Sequence, residues 1–196
     1  MYKSTYDKMN WFKSTFLDKN NTLDILDVGS LNREGNKNYK SIFNKHNCNY
    51  VGLDYEKDNN LGIIVEDIHN WFEVNDNKFD VILYNQLGNM SYFWLIMVQI
   101  ERILKDDGYV CIIVPTVGSN YDNNQLNCYQ FCENGLKQLV IYVDLYLVDI
   151  STNDIKPCDV SCLVSRKNSD LIDVNNIENK INHFESKLDK FLNFIE

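Results

Sequence analysis

Several common kinds of protein are marked by features that this sequence lacks. Lysine and arginine number 19 against 28 aspartates and glutamates, a net charge of -9. Nucleic-acid affinity is built on clustered cations, so this balance speaks against a DNA or RNA partner. No apolar run approaches the length of a membrane-crossing helix, and no charged–apolar–small pattern opens the chain. A soluble cytoplasmic protein with no membrane partner is the expectation. None of the six cysteines forms a Cys-x-x-Cys pair. Cys128/Cys132 and Cys158/Cys162 share a spacing of four, but they lie among apolar and aromatic residues. Reduced, mostly buried thiols and no metal site are therefore expected. An internal repeat is also missing, as is the three-glycine loop of dinucleotide-binding folds.

What is present is a globular composition. With 44% hydrophobic and 13% aromatic residues, 196 residues are enough for one domain with a full core. Tyr6, Met9, Trp11, Phe12, Phe16 and Leu17 recur at helical spacing, which predicts a helix over 4–18 packed on that core. Strand patterns then alternate with helix patterns. Strands are expected at 24–29, 49–54, 62–66, 79–84, 109–115, 139–150 and 159–166, and helices at 37–46, 92–105 and 129–138. Lys105-Asp106-Asp107-Gly108 reads as a helix stop and a turn. Strands that are apolar throughout and separated by helices imply a doubly wound, mostly parallel α/β sheet of seven strands. The last two strands have no helix between them and predict an antiparallel hairpin at one edge.

The most informative residues lie at two strand ends. Leu23-Asp24-Ile25-Leu26-Asp27-Val28-Gly29-Ser30 and Tyr50-Val51-Gly52-Leu53-Asp54 stand one βαβ unit apart. An acidic residue at the tip of the second strand is where a nucleotide-type ligand presents its ribose hydroxyls. Of the glycines that would cradle a pyrophosphate, only Gly29 and Gly35 are in place. The loop tolerates instead a ligand with ribose and adenine, no phosphate and an amino-acid tail.

Five motifs in order carry a resemblance. The chain resembles the class I S-adenosylmethionine-dependent methyltransferases, in the branch whose first motif reads Asp-Val-Gly-Ser, over about residues 5–167. Asp27-Val28-Gly29-Ser30 matches the first motif, Gly52-Leu53-Asp54 the second and Val65-Glu66-Asp67-Ile68 the third. Phe79 to Asn85 matches the fourth and Leu104 to Tyr109 the fifth. The resemblance implies S-adenosyl-L-methionine as cofactor. Asp54 would hold the ribose, Asp67 and Ile68 the adenine, and Asp27 the methionine end, with Gly29, Ser30, Gly35, Tyr55 and Asn85 completing the site. A small-molecule acceptor is implied, with a sugar or surface-polysaccharide precursor as the leading expectation.

Catalytic residues are harder to place. Methyl transfer needs acceptor and methyl in line, and sometimes a base. The branch places Glu and His after the fourth strand, where this chain has Asn89 and Met90. The branch pattern Asp-Cys-Tyr/Trp-Arg-Phe is met by Asn127, Cys128, Tyr129, Gln130 and Phe131. Asp122 is the candidate base, and Gln86, Tyr121 and Tyr129 are candidate acceptor-pocket residues. The lost ionisable groups support a rival reading, a non-catalytic scaffold that keeps the fold. A nicotinamide dehydrogenase is disfavoured by the missing glycines.

The methyltransferase domain is expected over 1–168, with its N-terminal helix in 1–20, and a separate helix over 169–196. In that last segment Val174, Ile177, Ile181, Phe184, Leu188, Phe191 and Ile195 hold a three-four rhythm with polar residues between them. This is the pattern of a coiled-coil seam and a possible homo-oligomer, or of an amphipathic helix folded back on the domain.

Overall fold

The computed structural model describes residues 3–17, 22–30, 39–43, 47–54, 64–65, 74–85, 92–116, 128–153 and 158–166. Seven strands form one sheet: β1 (Leu23–Val28), β2 (Cys48–Asp54), β3 (Ile64–Val65), β4 (Phe79–Tyr84), β5 (Leu104–Pro115), β6 (Tyr146–Asn153) and β7 (Asp159–Ser165). Their order is β3-β2-β1-β4-β5-β7-β6. The pairs from β3 to β5 are parallel, while β7 is antiparallel to both β5 and β6. Around the strands stand α1 (Lys3–Phe16), α2 (Lys40–Phe43), α3 (Phe93–Ile103) and α4 (Glu133–Tyr142).

The alternation of side chains along each strand sends the core to two faces. On one, Ile25, Val81, Leu83, Cys111 and Leu163 pack with Met9 and Phe12 of α1 and with Ile42 and Phe43 of α2. On the other, Leu26, Val28, Ile82, Tyr84 and Val110 pack with Ile96, Met97 and Ile100 of α3 and with Leu136 and Val140 of α4. Helices on both faces of a mainly parallel sheet are what apolar strand runs require. Salt bridges tie the layers at their edges. Lys8 of α1 pairs with the buried Asp159 at the start of β7. Lys105 bridges Asp24 and Asp80 at 3.0 and 2.8 Å, and Asp80 also accepts the Asp24 amide at 2.7 Å.

Several expectations need correction. Residues 139–145 are not strand: α4 runs to Tyr142 and β6 begins at Tyr146. The run Val140-Ile141-Tyr142-Val143, β-branched and aromatic, favours strand locally, but Leu136, Leu139, Val140 and Val143 share one helical face and bury it together. The Lys105–Gly108 turn is absorbed into β5 as an irregularity. Phe79 pairs with Leu104 and Val81 with Tyr109, so one residue of β4 spans four of β5. The antiparallel hairpin does form at one edge as expected, with its second strand on the inner side, between β5 and β6. In α1 the buried stripe is Thr5, Met9 and Phe12, and Tyr6 and Trp11 face outward at 40% and 45% exposure. Cys128 and Cys132 are exposed, unlike the buried Cys111, Cys158 and Cys162; none of the six cysteines is in a disulfide. The helix expected over 169–196 lies outside the described residues.

Candidate functional site

The strand order fixes where a ligand can sit. From β1 the chain moves to β2 and β3 on one side, then crosses to β4 and β5 on the other. A doubly wound sheet opens a crevice at such a switch point, beyond the carboxyl ends of its strands. Here those ends are Val28, Asp54 and Tyr84, with Val28 paired to both Leu53 and Tyr84.

The turn leaving β1 is built for close approach. Gly29 has φ 74°, a left-handed backbone that glycine adopts without strain. Its amide donates to Leu53 O at 2.8 Å, and the Ser30 amide points to the same oxygen at 3.4 Å. The chain therefore folds over the end of β2, next to Asp54. The Ser30 hydroxyl is buried without a hydrogen-bond partner, as is the Tyr84 hydroxyl. Such groups are costly, about 1–3 kcal/mol each, unless something meets them. Burial also pushes the Tyr84 phenol well above its ordinary pKa, so it acts only as a neutral donor or acceptor.

Two carboxylates occupy adjoining strand ends. Asp27 is 2% exposed and Asp54 4%. The Tyr50 hydroxyl donates to Asp27 Oδ2 at 2.6 Å. In the register Gly52 lies beside Asp27, and the Tyr50 ring, two residues back on the same face, reaches past it. Burial pushes the Asp27 carboxyl up to about 7, against the lowering effect of the Tyr50 hydrogen bond, and the Asp54 charge raises it further. The Tyr50 phenol is pushed up as well, by burial first and by Asp27 second. Two close carboxylates repel a phosphate and favour hydroxyl groups or a cation. Tyr50 was not singled out in the sequence, although the alternation Tyr50-x-Gly52-x-Asp54 places all three on one face.

The neighbouring strand ends complete the rim. Asn85, just past β4, is exposed, and its side-chain amide donates to the Tyr39 hydroxyl at 2.8 Å. Tyr129 lies beyond β5 and is exposed. Its ring meets Phe93 edge-on at 5.0 Å, and Phe93 in turn meets Phe131 at 5.2 Å. The Phe131 amide donates to Pro115 O at 2.9 Å, which holds this aromatic group at the carboxyl end of β5. Asp27, Gly29, Ser30 and Asp54 thus converge, with Asn85 and Tyr129 on adjacent parts of the same edge. Gly35, Tyr55, Asp67, Ile68, Gln86, Tyr121 and Asp122 lie outside the described residues. A separate cavity of about 270 Å³, lined by Asp7, Trp11, Cys111 and Asp149 among others, lies between α1 and the sheet and touches none of the candidate residues.

Comparison with solved structures bears on this arrangement. A Burkholderia thailandensis N-methyltransferase, solved with 1,6-didemethyltoxoflavin and S-adenosylhomocysteine bound, superposes with a TM-score of 0.66 at 14% identity, covering 85% of this chain and 79% of that one. A Methanosarcina mazei S-adenosylmethionine-dependent methyltransferase gives 0.62 at 12% identity, covering 86% and 99%. The fold is that of the S-adenosylmethionine-dependent methyltransferases. The cyclase SpnF superposes on this chain equally well, with a TM-score of 0.66 at 10% identity over 86% and 83% of the two chains. No protein-family model and no curated protein matches the sequence. The methyltransferase fold thus stands on architecture, and activity has to be argued from the residues at its carboxyl edge.

Proposed function

We propose that this chain transfers a methyl group from S-adenosyl-L-methionine to a small-molecule acceptor. The observation that carries the reading is the buried Asp54 beside the left-handed Gly29 turn, at the switch point of a methyltransferase fold. One carboxylate can accept from both hydroxyls of a ribose, which suits Asp54. Gly29 lets backbone approach the ligand, and the unpartnered Ser30 hydroxyl offers it a hydrogen bond. Asp27 gives the cationic methionine end a negative neighbour. Asp67 and Ile68 are assigned to the adenine, and Gly35, Tyr55 and Asn85 to the remaining contacts.

S-adenosylmethionine supplies an electrophilic methyl group on a positively charged sulfur. The chain has to hold an acceptor in line with it, exclude water and accept a proton where the acceptor loses one. Asp122 is assigned as that base, and Gln86, Tyr121 and Tyr129 as acceptor-pocket residues. A sugar or surface-polysaccharide precursor is the acceptor class we favour, and the Tyr129 ring offers it a stacking face. The toxoflavin enzyme shows by its bound ligand that the fold can take a small-molecule acceptor. The net charge of -9 favours a small molecule over a nucleic acid, and a cytoplasmic setting suits the cofactor.

The test is S-adenosylhomocysteine formation with a panel of sugar and sugar-nucleotide acceptors. Turnover is expected in the native chain. In Asp54→Ala it should fall at least a hundredfold while the melting temperature stays within a few degrees. Undiminished turnover in Asp54→Ala would overturn the site, and no product with any acceptor would contradict the activity.

A further inference from the structure

Among the described residues, α3 is apolar on more faces than its packing uses. Its inner face, Ile96, Met97, Ile100 and Ile103, is fully buried. Yet Trp94, Leu95 and Val98 point outward at 37%, 43% and 41% exposure. Trp94 and Val98 are one turn apart with Leu95 beside them, so the three form a continuous stripe. A helix that is apolar on its outer side as well is normally covered there.

The chain itself leads to that stripe. β7 ends at Ser165, and the next residue, Arg166, is fixed to the last turn of α3. Its guanidinium pairs with Glu101 Oε1 at 2.9 Å and also donates to Glu101 O. Glu101 stands one turn beyond Val98, about 5 Å along the helix axis. Residues 167–173 can span up to about 23 Å when extended. They are followed by the amphipathic repeat Val174, Ile177, Ile181, Phe184, Leu188, Phe191 and Ile195. As a helix that repeat measures about 33 Å, against about 16 Å for α3.

We infer that residues 174–195 dock within the same chain, laying their apolar stripe along Trp94, Leu95 and Val98 of α3. Both stripes need a partner, and the Arg166 anchor brings them together through a short connection. Such a tether gives the contact within one chain a local concentration that a second copy must exceed. The two phenylalanines, a poor fit to a tight two-stranded seam, have in Trp94 an aromatic partner.

The test uses the full chain with the photoreactive residue p-benzoylphenylalanine in place of Val98, an exposed position whose replacement leaves the core untouched. Equal amounts of light and heavy-nitrogen protein are mixed, illuminated and digested, and cross-linked peptides are read by mass spectrometry. Cross-links from position 98 to peptides within 174–195, joining light to light and heavy to heavy, are expected. Adding Ile181→Asp and Phe184→Asp should lower their yield at least tenfold. Light-to-heavy cross-links would overturn the inference in favour of a second copy. Cross-links that avoid 174–195, or none, would overturn it outright.

Discussion

Asp27 carries the clearest residue-scale consequence. Its folded carboxyl titrates near 7 instead of 3.8, chiefly because it is buried. The folded state therefore binds this proton more tightly than the unfolded one, and folding stability falls as pH rises from about 4 to about 7, then levels off. Asp27→Asn removes the titration while keeping a group that can accept from Tyr50. Thermal unfolding should show the variant more stable than the native chain at pH 8, by about 1–4 kcal/mol, and the difference should vanish near pH 4. Equal stability of the two proteins at pH 8 would contradict the burial penalty. Ligand binding reads the same group from the other side. A cationic methionine end beside Asp27 favours its ionised form, so affinity for S-adenosylmethionine should rise through pH 7, and the rise should be lost in Asp27→Asn. Some of this was legible in sequence and some was not. Asp54 and Gly29 announce themselves because a strand end and a tight turn are local features. The Tyr50–Asp27 bond depends on the register between two strands 23 residues apart, which local patterns do not encode.

At the scale of single elements, Gly108 shows why β5 begins as it does. A Cβ there would lie 2.7 Å from Leu104 Cδ1 and 3.0 Å from Lys105 O. The four-residue irregularity opposite Asp80 closes on itself too tightly for a side chain. Gly108→Ala should cost about 1–3 kcal/mol, lowering the melting temperature by several degrees. An unchanged melting temperature would show that the irregularity yields freely. Lys8→Met tests how α1 is held to the sheet. It withdraws the cation from Asp159, which is 1% exposed, and should destabilise by about 3 kcal/mol or more. Denaturant titration showing no loss would make the pair dispensable. Sequence periodicity found α1 and α3 because their buried stripes are long. It misplaced the boundary between α4 and β6 because Leu139 to Val143 is an apolar run that suits either element, and only the packing of Leu136, Leu139 and Val140 decides it.

At the scale of the whole molecule, the parallel sheet was legible from its apolar runs, since strands buried on both faces leave no polar alternation. The interior place of β7 was not. Inserting it between β5 and β6 is a choice of global order, and a hairpin drawn from sequence pairs equally well either way round. Global order is also what makes a site: the β1 end meets β2 on one side and β4 on the other only because the chain crosses over between β3 and β4. The candidate site is thus a property of the assembled sheet, while its residues are scattered over three strands. The most direct test of this account is calorimetric titration of the native chain with S-adenosylhomocysteine at pH 8, beside Asp54→Ala. One site with micromolar affinity in the native chain, weakened at least thirtyfold in the variant, is the predicted result. A well-folded native chain that takes up no ligand, or a variant that binds as tightly as the native chain, would contradict it.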